Sequence, residues 1–190
     1  MRKILILLFV LGLSLGVFSG CGNNGAPSYL VEINVEGYGV ITVELDGTYA
    51  PITVENFVNL VNDGFYEGLT FHRVIENFMI QGGCTYGDGS GGSDNQIVGE
   101  FSSNGIENPR RHTRGAISMA RTPDPNSASS QFFIVHEDSP FLDGDYAVFG
   151  YVTSGIEVVD AIVEGTATDS GIVAPENQAV IRSVRVIDGE

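Results

Sequence analysis

The sequence predicts a mainly β domain, a closed eight-stranded antiparallel β-barrel with two capping α-helices. Three observations predict this fold class. Short β-rich runs recur between turn signals, only two segments show helical spacing of apolar residues, and 25 of the 190 residues are glycine, which is typical of a chain with many turns. Closing such a sheet into a barrel removes the strand edges that it would otherwise expose. Hydrophobic residues make up 43% of the chain, enough for one domain with a real core.

The first 20 residues are predicted to be a lipoprotein signal peptide. Arg2 and Lys3 precede an apolar run, 4–18, that is shorter than the about 18–20 residues of a membrane-spanning helix. The small residues before Cys21 resemble the lipobox of prokaryotic lipoproteins, which implies cleavage before Cys21 and acylation of that residue. Phe18 departs from this pattern, because leucine is usual there. An ordinary signal peptide cut nearby, or an uncleaved anchor, is the alternative.

The polar segment at 21–28 follows, comprising the lipidated cysteine and a flexible tether, and the folded domain is predicted at 29–190. Such a tether spans at most about 25 Å, so the domain would stay near the bilayer. We therefore expect an extracytoplasmic, membrane-anchored lipoprotein.

The charge of the chain is strongly acidic. It has 24 acidic and 9 basic residues, and without Arg2 and Lys3 there remain 7 basic residues, no lysine and a formal charge of −17. A field of this sign repels nucleic acid and anionic lipid headgroups, so neither is an expected partner. Solubility explains the charge; a high-salt habitat, where salt screens self-repulsion, is the alternative.

The first elements are a hairpin and a helix. Apolar and polar residues alternate over 29–35, a turn follows, and a second β-rich run occupies 40–45. Apolar residues then recur at helical spacing over 54–61, which predicts the first helix with Thr53 as its N-cap.

The remaining elements are short strands and one more helix. The strands are predicted at 71–75, 78–81, 115–119, 132–135, 147–152 and 180–187, and the second helix at 156–163. Because alternate residues of a strand share a face, Phe71, Arg73 and Ile75 are predicted to point one way, and so are Val180 and Val184.

Arg73 is the residue that most needs a functional explanation. Apolar residues flank it in a predicted strand, where a charge is costly unless it has a task; a structural ion pair is the alternative. Gln81 follows eight residues later and offers a neutral donor and acceptor. The loop of small residues at 122–130 leaves backbone groups that can pair with an extended peptide, or it is a plain surface loop.

Neither a metal nor a cofactor is predicted. His72, His112 and His136 lack the spacing of metal ligands, and no lysine follows the glycine-rich segment 82–92 as it would in a phosphate-binding loop. Cys84 is interpreted as an inert free thiol. A disulfide between Cys84 and Cys21 is conceivable outside the cytoplasm, but lipidation is the better explanation of Cys21.

Six strings in the domain resemble the cyclophilins in order and spacing. They are Phe71-His72-Arg73, Phe78 to Gly83, Ser118-Met119-Ala120, Ser130 to Ile134, Phe141 to Gly144 and Val148 to Gly150. The resemblance covers roughly residue 29 to the C-terminus, and the loop at 124–128 looks like that of prokaryotic members. It implies an eight-stranded barrel with two capping helices that catalyses cis–trans isomerisation of X–Pro peptide bonds without a cofactor.

The resemblance also implies roles for individual residues. Arg73 would be the catalytic side chain, with His72 and Gln81 beside it. The implied substrate-binding residues are Phe78, Met79, Phe133 and Leu142 around the proline, Ala120, Arg121, Thr122 and Gln131 along the groove for the preceding residues, and Phe141 and Tyr146 on the other wall. Four residues depart from common family choices: Phe141 replaces tryptophan, Tyr146 histidine, Arg121 asparagine and Cys84 aspartate. The first two leave cyclosporin affinity and substrate preference open.

Together these features predict a monomeric peptidyl-prolyl isomerase that binds proline-containing segments of secreted or envelope proteins and assists their folding. A cyclophilin-like module that grips or chaperones proline-containing peptides with little turnover is the rival. A purely structural envelope lipoprotein, which would bind no peptide, is a third possibility.

Overall fold

The structure is a computed structural model that describes residues 26–187. Its eight strands close into a barrel in the order β1-β2-β7-β5-β6-β4-β3-β8, and every neighbouring pair is antiparallel. The elements are β1 Ser28–Val35, β2 Gly39–Asp46, α1 Pro51–Asn62, β3 Thr70–Ile75, β4 Met79–Gly82, β5 Ala116–Met119, β6 Phe132–Val135, β7 Val148–Ser154, α2 Ile156–Thr166 and β8 Ala179–Ile187. Single 3-10 turns lie at Ser102–Asn104, Pro140–Leu142 and Pro175–Asn177. The predicted fold class is confirmed.

The first hairpin follows the predicted alternation. β1 and β2 pair in continuous register, from Ser28 opposite Asp46 to Val35 opposite Gly39. Val31, Ile33 and Val35 are buried on the barrel side. Alternation is decisive here because a shift of one residue would turn all three valine and isoleucine side chains toward solvent.

The N-terminus of α1 is capped by a distant carboxylate. The helix begins at Pro51, after Ala50, so the prediction of Thr53 as the N-cap is wrong. Thr53 lies within the first turn, and its N–H and hydroxyl both donate to Glu100, at 2.8 and 2.6 Å. The N–H of Ile52 donates to the other Glu100 oxygen at 3.1 Å. Glu100 therefore satisfies the free amides of the helix end and opposes the positive end of its dipole.

The barrel interior is an aromatic and aliphatic core. Phe57 of α1 lies with its ring centroid 5.0 Å from that of Tyr66 and 5.4 Å from that of Phe132. Phe71 and Phe149 complete this group, and all five side chains are fully or almost fully buried. Both helices pack their apolar faces on the same core. Burial of aromatic rings at these distances is a main source of the fold's stability.

In β3 and β8 the alternation of inward and outward side chains is interrupted by a register shift. In β3 a register shift lies between Phe71 and Arg73, so Phe71 points into the core whereas Arg73 does not, and the prediction that they share a face is wrong. A second irregularity lies where β8 pairs with β1, and it lets Ile181 and Val184 both reach the core. Val180 and Val184 consequently do not share a face. A β-bulge inserts one residue and reverses the alternation beyond it.

A second apolar cluster lies on the outer face of the barrel. Its buried members are Met79, Ala116, Phe133, Val135, Leu142 and Val148. They alternate along their strands with residues of the interior core; in β6, for example, Phe132 points inward and Phe133 outward. This outer cluster provides the apolar floor of the candidate site.

The predicted signal peptide, Cys21 and most of the tether lie outside the described residues. Within the described range, 26–187, no helix combines the length and hydropathy needed to cross a bilayer.

Candidate active site

A small cavity of about 120 Å³ opens on the outer face of the barrel, above the outer cluster. It is lined by Arg73, Phe78, Met79, Gln81, Ala120, Arg121, Phe133, Leu142 and Tyr146. All of these are among the predicted site residues. The walls come from β3, from β4 and the residue before it, from β6, from the residues just after β5, and from the 3-10 turn at Pro140–Leu142 and the segment that follows it. The closed barrel is what brings these segments together.

Arg73 lies at the edge of this cavity and is partly exposed. Its Nη1 donates to Gln81 Oε1 at 3.1 Å, and its guanidinium carbon is 5.8 Å from the centroid of the Phe78 ring. Partial burial lowers the pKa of Arg73 below its usual value, and the Tyr146 hydroxyl opposes that shift. Arginine is always protonated in proteins, so the group stays cationic at neutral pH. Among the described residues no carboxylate lies within 4.0 Å of it, which argues against the structural ion pair.

Gln81 and Gln131 connect Arg73 to the glycine-rich loop. Gln81 Nε2 donates to Gln131 Oε1 at 2.9 Å, and Gln131 Nε2 donates to the carbonyl oxygens of Gly89 and Gly91, at 2.9 and 2.7 Å. Each amide thus accepts on one side and donates on the other. This chain of hydrogen bonds fixes which end of the Gln81 amide faces the guanidinium.

Gly83 lets that loop approach β6. Its φ is +82°, and a Cβ atom there would lie 2.5 Å from the carbonyl oxygen of Ser130. Glycine is the residue that tolerates both the left-handed backbone and the close contact.

Phe133 is supported from behind by a buried polar group. The imidazole of His112 stacks against it, with centroids 5.9 Å apart and planes inclined by 13°. His112 Nδ1 lies 3.0 Å from an Asp143 oxygen, and Nε2 lies 3.1 Å from the Ser118 hydroxyl. Burial lowers the pKa of His112, and Asp143 partly offsets this. The neutral ring is therefore held in one orientation behind the cavity.

Sequence reasoning missed this support. It considered His112 only as a metal ligand and gave Asp143 no role at all. The two residues are 31 positions apart, and no local pattern reveals that they meet.

A larger cavity of about 310 Å³ adjoins the small one. Thr122 and Gln131, two of the residues implied to bind substrate, line it, and Gln81, Ala120 and Arg121 are shared by both cavities. Ser90, Ser93, Asp94, Gln96 and Ser129 also line it and were not predicted. The two cavities together form one groove, wide and polar at one end and small and apolar at the other.

Two predicted site residues lie outside both cavities. His72 is only 1% exposed, and neither of its ring nitrogens forms a hydrogen bond of ordinary geometry with the described residues. Burial lowers the pKa of His72, although the Thr70 backbone and Asp88 favour the protonated ring slightly. Phe141 is 69% exposed, and its ring lies 5.4 Å from that of Phe78, so it extends the apolar wall outward.

Cys84 is buried beneath the glycine-rich loop. The N–H groups of Gly89 and Gly91 each donate to its sulfur at 3.2 Å. Burial acts to raise the pKa of Cys84, but the surrounding backbone amides outweigh it and leave the pKa below 9.0.

Within residues 26–187, no group of three or more His, Cys, Asp or Glu side chains is placed to hold a metal ion.

This arrangement suits one kind of chemistry. An apolar cavity can hold a small ring, and a fixed cation with free N–H groups at its edge can stabilise an atom that gains a lone pair or negative charge. In the groove as described, a nucleophile paired with a base is lacking.

Comparison with known proteins agrees with the geometry. Residues 30–186 match the family model described as "Cyclophilin type peptidyl-prolyl cis-trans isomerase/CLD". A peptidyl-prolyl cis-trans isomerase of Helicobacter pylori strain J99 is 45% identical over 139 residues, covering 72% of this chain and 83% of that protein. Peptidyl-prolyl cis-trans isomerase B of Bacillus subtilis is 49% identical over 125 residues, covering 66% of this chain and 84% of that protein.

A similar solved structure is a Cryptosporidium parvum cyclophilin-type isomerase crystallised in the presence of the dipeptide Ala-Pro. It superposes with a TM-score of 0.75 at 28% identity and covers 84% of this chain and 99% of its own.

Proposed function

We propose that this chain, which belongs to the cyclophilin-type peptidyl-prolyl cis–trans isomerase family, isomerises X–Pro bonds in secreted or envelope proteins and so assists their folding. The isomerase activity itself follows from the family and its named relatives. The observation that carries the assignment to this groove is the pairing of the small apolar cavity with Arg73 at its edge.

The reaction needs little chemistry from the protein. Rotation about an X–Pro bond is slow because amide resonance must be broken, with a barrier of about 20 kcal/mol. As the bond twists, the imide nitrogen regains a lone pair that can accept a hydrogen bond. A donor that meets this lone pair stabilises the twisted state more than the planar one, which is the condition for catalysis.

Arg73 has the properties of that donor. Its Nη1 donates to Gln81 Oε1 at 3.1 Å and to the sulfur of Met79 at 3.9 Å, and the Phe78 ring lies near one face of the guanidinium. The N–H groups on Nε and Nη2 have no partner among the described residues and can donate to a substrate. Its charge is fixed at neutral pH, so no proton transfer is needed.

The apolar cavity would hold the proline ring while the rest of the peptide rotates. Phe133 and Leu142 provide contacts of the kind that a pyrrolidine ring prefers, and Met79 closes the floor. Because the similar Cryptosporidium protein was crystallised in the presence of Ala-Pro, a proline-containing segment is the ligand we assign to this cavity.

The place of action is part of the proposal. The signal-like start of the chain and the lipobox-like residues before Cys21 support an extracytoplasmic lipoprotein, and the acidic domain supports an anchor made of acyl chains rather than of basic residues. A chain anchored there would meet secreted and envelope proteins as they fold.

The proposal is tested by measuring isomerisation of a short Ala-Pro peptide by the full chain in detergent, together with direct binding of the same peptide. We expect turnover well above the uncatalysed rate, lost in Arg73→Ala. Binding without turnover would replace the isomerase with the proline-binding module, and neither binding nor turnover would reject both.

A further inference from the structure

Arg121 is held between two aromatic rings at the junction of the two cavities. Its guanidinium carbon lies 4.6 Å from the centroid of Tyr146 and 5.0 Å from that of Phe101. Phe101 is buried, so it forms a fixed base for this contact. The aromatic rings shield the guanidinium from part of its hydration without cancelling its charge, which strengthens a hydrogen bond to an anion at its edge.

Two backbone carbonyls fix the orientation of this arginine. Nε donates to the carbonyl oxygen of Asp145 at 2.9 Å, and Nη1 donates to that of Thr122 at 2.9 Å. A guanidinium has five N–H groups, so both on Nη2 and one on Nη1 have no partner among the described residues. The unpartnered N–H groups on Nη2 and Nη1 can donate to the oxygens of a carboxylate.

The charges around Arg121 leave that edge uncompensated. No carboxylate of the described residues lies within 4.0 Å of it, whereas Arg110 and Arg114 each form such an ion pair. Asp94 lines the larger cavity, and Arg73 lines the smaller one. The chain has 24 acidic and 9 basic residues, so its overall electrostatic potential is negative. Arg73 and Arg121, two arginines without a carboxylate partner among the described residues, add positive charge at the groove.

We propose that Arg121 selects substrates that carry a carboxylate one or two residues before the proline. The inference rests on the proposed function: with the proline ring in the small cavity, the preceding residues pass the junction that Ala120, Arg121 and Gln81 share and enter the larger cavity. A glutamate or aspartate side chain at one of those positions reaches the free edge of the guanidinium. The substrates are therefore acidic segments ahead of a proline.

The test compares peptides that differ only in charge. In the first pair, Glu or Gln stands immediately before the proline. In the second pair, Glu or Gln stands two residues before it. For each peptide kcat/KM is measured at low salt. In one of the two pairs we expect the Glu peptide to be favoured about five- to tenfold, the range of a charge-assisted hydrogen bond at a partly exposed site. The preference should shrink at high salt.

Variants assign the preference to Arg121. In Arg121→Gln the Glu-to-Gln ratio should fall to about one, and Arg121→Lys should restore it only in part, since lysine keeps the charge but not the two-pronged geometry. Arg185→Gln is the matched control, because Arg185 is an exposed arginine on β8, outside both cavities, and its loss should leave the ratio unchanged. Ratios compare two substrates of one variant, so a general loss of activity does not imitate the result.

Each outcome separates this inference from the function on which it rests. No turnover of any peptide by the wild type would remove the proposed function. Equal turnover of Glu and Gln peptides, or a ratio that survives Arg121→Gln, would overturn the role of Arg121 and leave the isomerase in place. Faster turnover of the Gln peptide than of its Glu counterpart would show that Asp94 repels the substrate carboxylate more than Arg121 attracts it, and would also overturn the role of Arg121.

Discussion

Nη1 of Arg73 donates to Oε1 of Gln81 across 3.1 Å, between neighbouring strands that pair these two residues in register. The bond holds the guanidinium at the mouth of the apolar cavity instead of in the interior core. Its position follows from the bulge in β3, which turns Arg73 to the outer face on which Gln81 lies.

Arg73→Ala is expected to lower kcat/KM by about 10²–10³-fold, equivalent to about 2.7–4 kcal/mol of transition-state stabilisation. Arg73 is partly exposed and does not belong to either apolar cluster, so the melting temperature should change little. Isomerisation kinetics and thermal unfolding measure the two quantities. Activity within threefold of the wild type would show that the guanidinium is not the catalytic donor.

Gln131→Leu is expected to loosen the hydrogen-bonded chain that orients Gln81. Gln131 donates to Gly89 and Gly91 and accepts from Gln81, so the substitution frees both the loop and the amide. We expect kcat/KM to fall about tenfold, the effect of losing one or two hydrogen bonds, with a larger part of the loss in KM because the residue borders the larger cavity. An unchanged KM with a reduced kcat would contradict its place along the substrate groove.

Phe133→Leu and Phe132→Leu form a matched pair on adjacent residues of β6. Phe132 points into the interior core and Phe133 into the outer cluster, and both are at most 5% exposed. Each substitution should lower the free energy of unfolding by about 1–1.5 kcal/mol, because ring atoms are lost from a packed site. Only Phe133→Leu should also raise KM for a proline peptide. Equal effects of the two variants on turnover would place the proline elsewhere.

The two buried histidines predict a loss of stability in mild acid. Burial lowers the pKa values of His72 and His112 in the folded state below the 6.5 of an unfolded chain. The unfolded state therefore binds more protons as the pH falls, and the stability present above about pH 6.5 is lost progressively below it. Urea unfolding at pH 7.5 and pH 5.5 measures this loss.

His72→Phe is the variant that checks this assignment. Neither nitrogen of His72 has a partner among the described residues, so an apolar ring should keep or raise stability at pH 7.5 and should reduce the loss at pH 5.5. An undiminished loss would mean that His72 does not titrate differently on unfolding. The peptide turnover of the same variant tests the predicted role of His72 beside Arg73.

Cys21→Ser is expected to release the protein from the membrane fraction or to leave its signal peptide uncleaved. Acyl chains on Cys21 would supply the anchor, at about 0.8 kcal/mol per buried methylene. The acidic domain has no electrostatic attraction to an anionic bilayer that would replace them. Fractionation of cells and the mass of the mature protein give the answer. A cleaved, unmodified N-terminus in the wild type would disprove the anchor and leave the isomerase unaffected.

The sequence by itself determined the barrel and most of the groove. Alternation in β1 and helical spacing in α1 and α2 are local properties of the chain, and the predicted strands agree with the observed ones to within about two residues. The resemblance carried by the six strings implied every residue that lines the small cavity, including Arg121 and Tyr146, which lie beside the strings. The strands and helices were predictable because burial imposes a period on neighbouring residues, whereas the cavity residues were predicted from the family resemblance.

The tertiary structure alone decided which distant groups meet. Glu100 caps α1 from 47 residues away, His112 reaches Asp143 behind Phe133, and Arg121 lies between Phe101 and Tyr146. The bulge that separates Phe71 from Arg73 is also set by strand pairing, because it is a shift in the register between β3 and β4. The sequence of β3 alone does not show where that shift falls. Hydrogen bonds and aromatic contacts between distant residues depend on barrel closure, which no local period encodes.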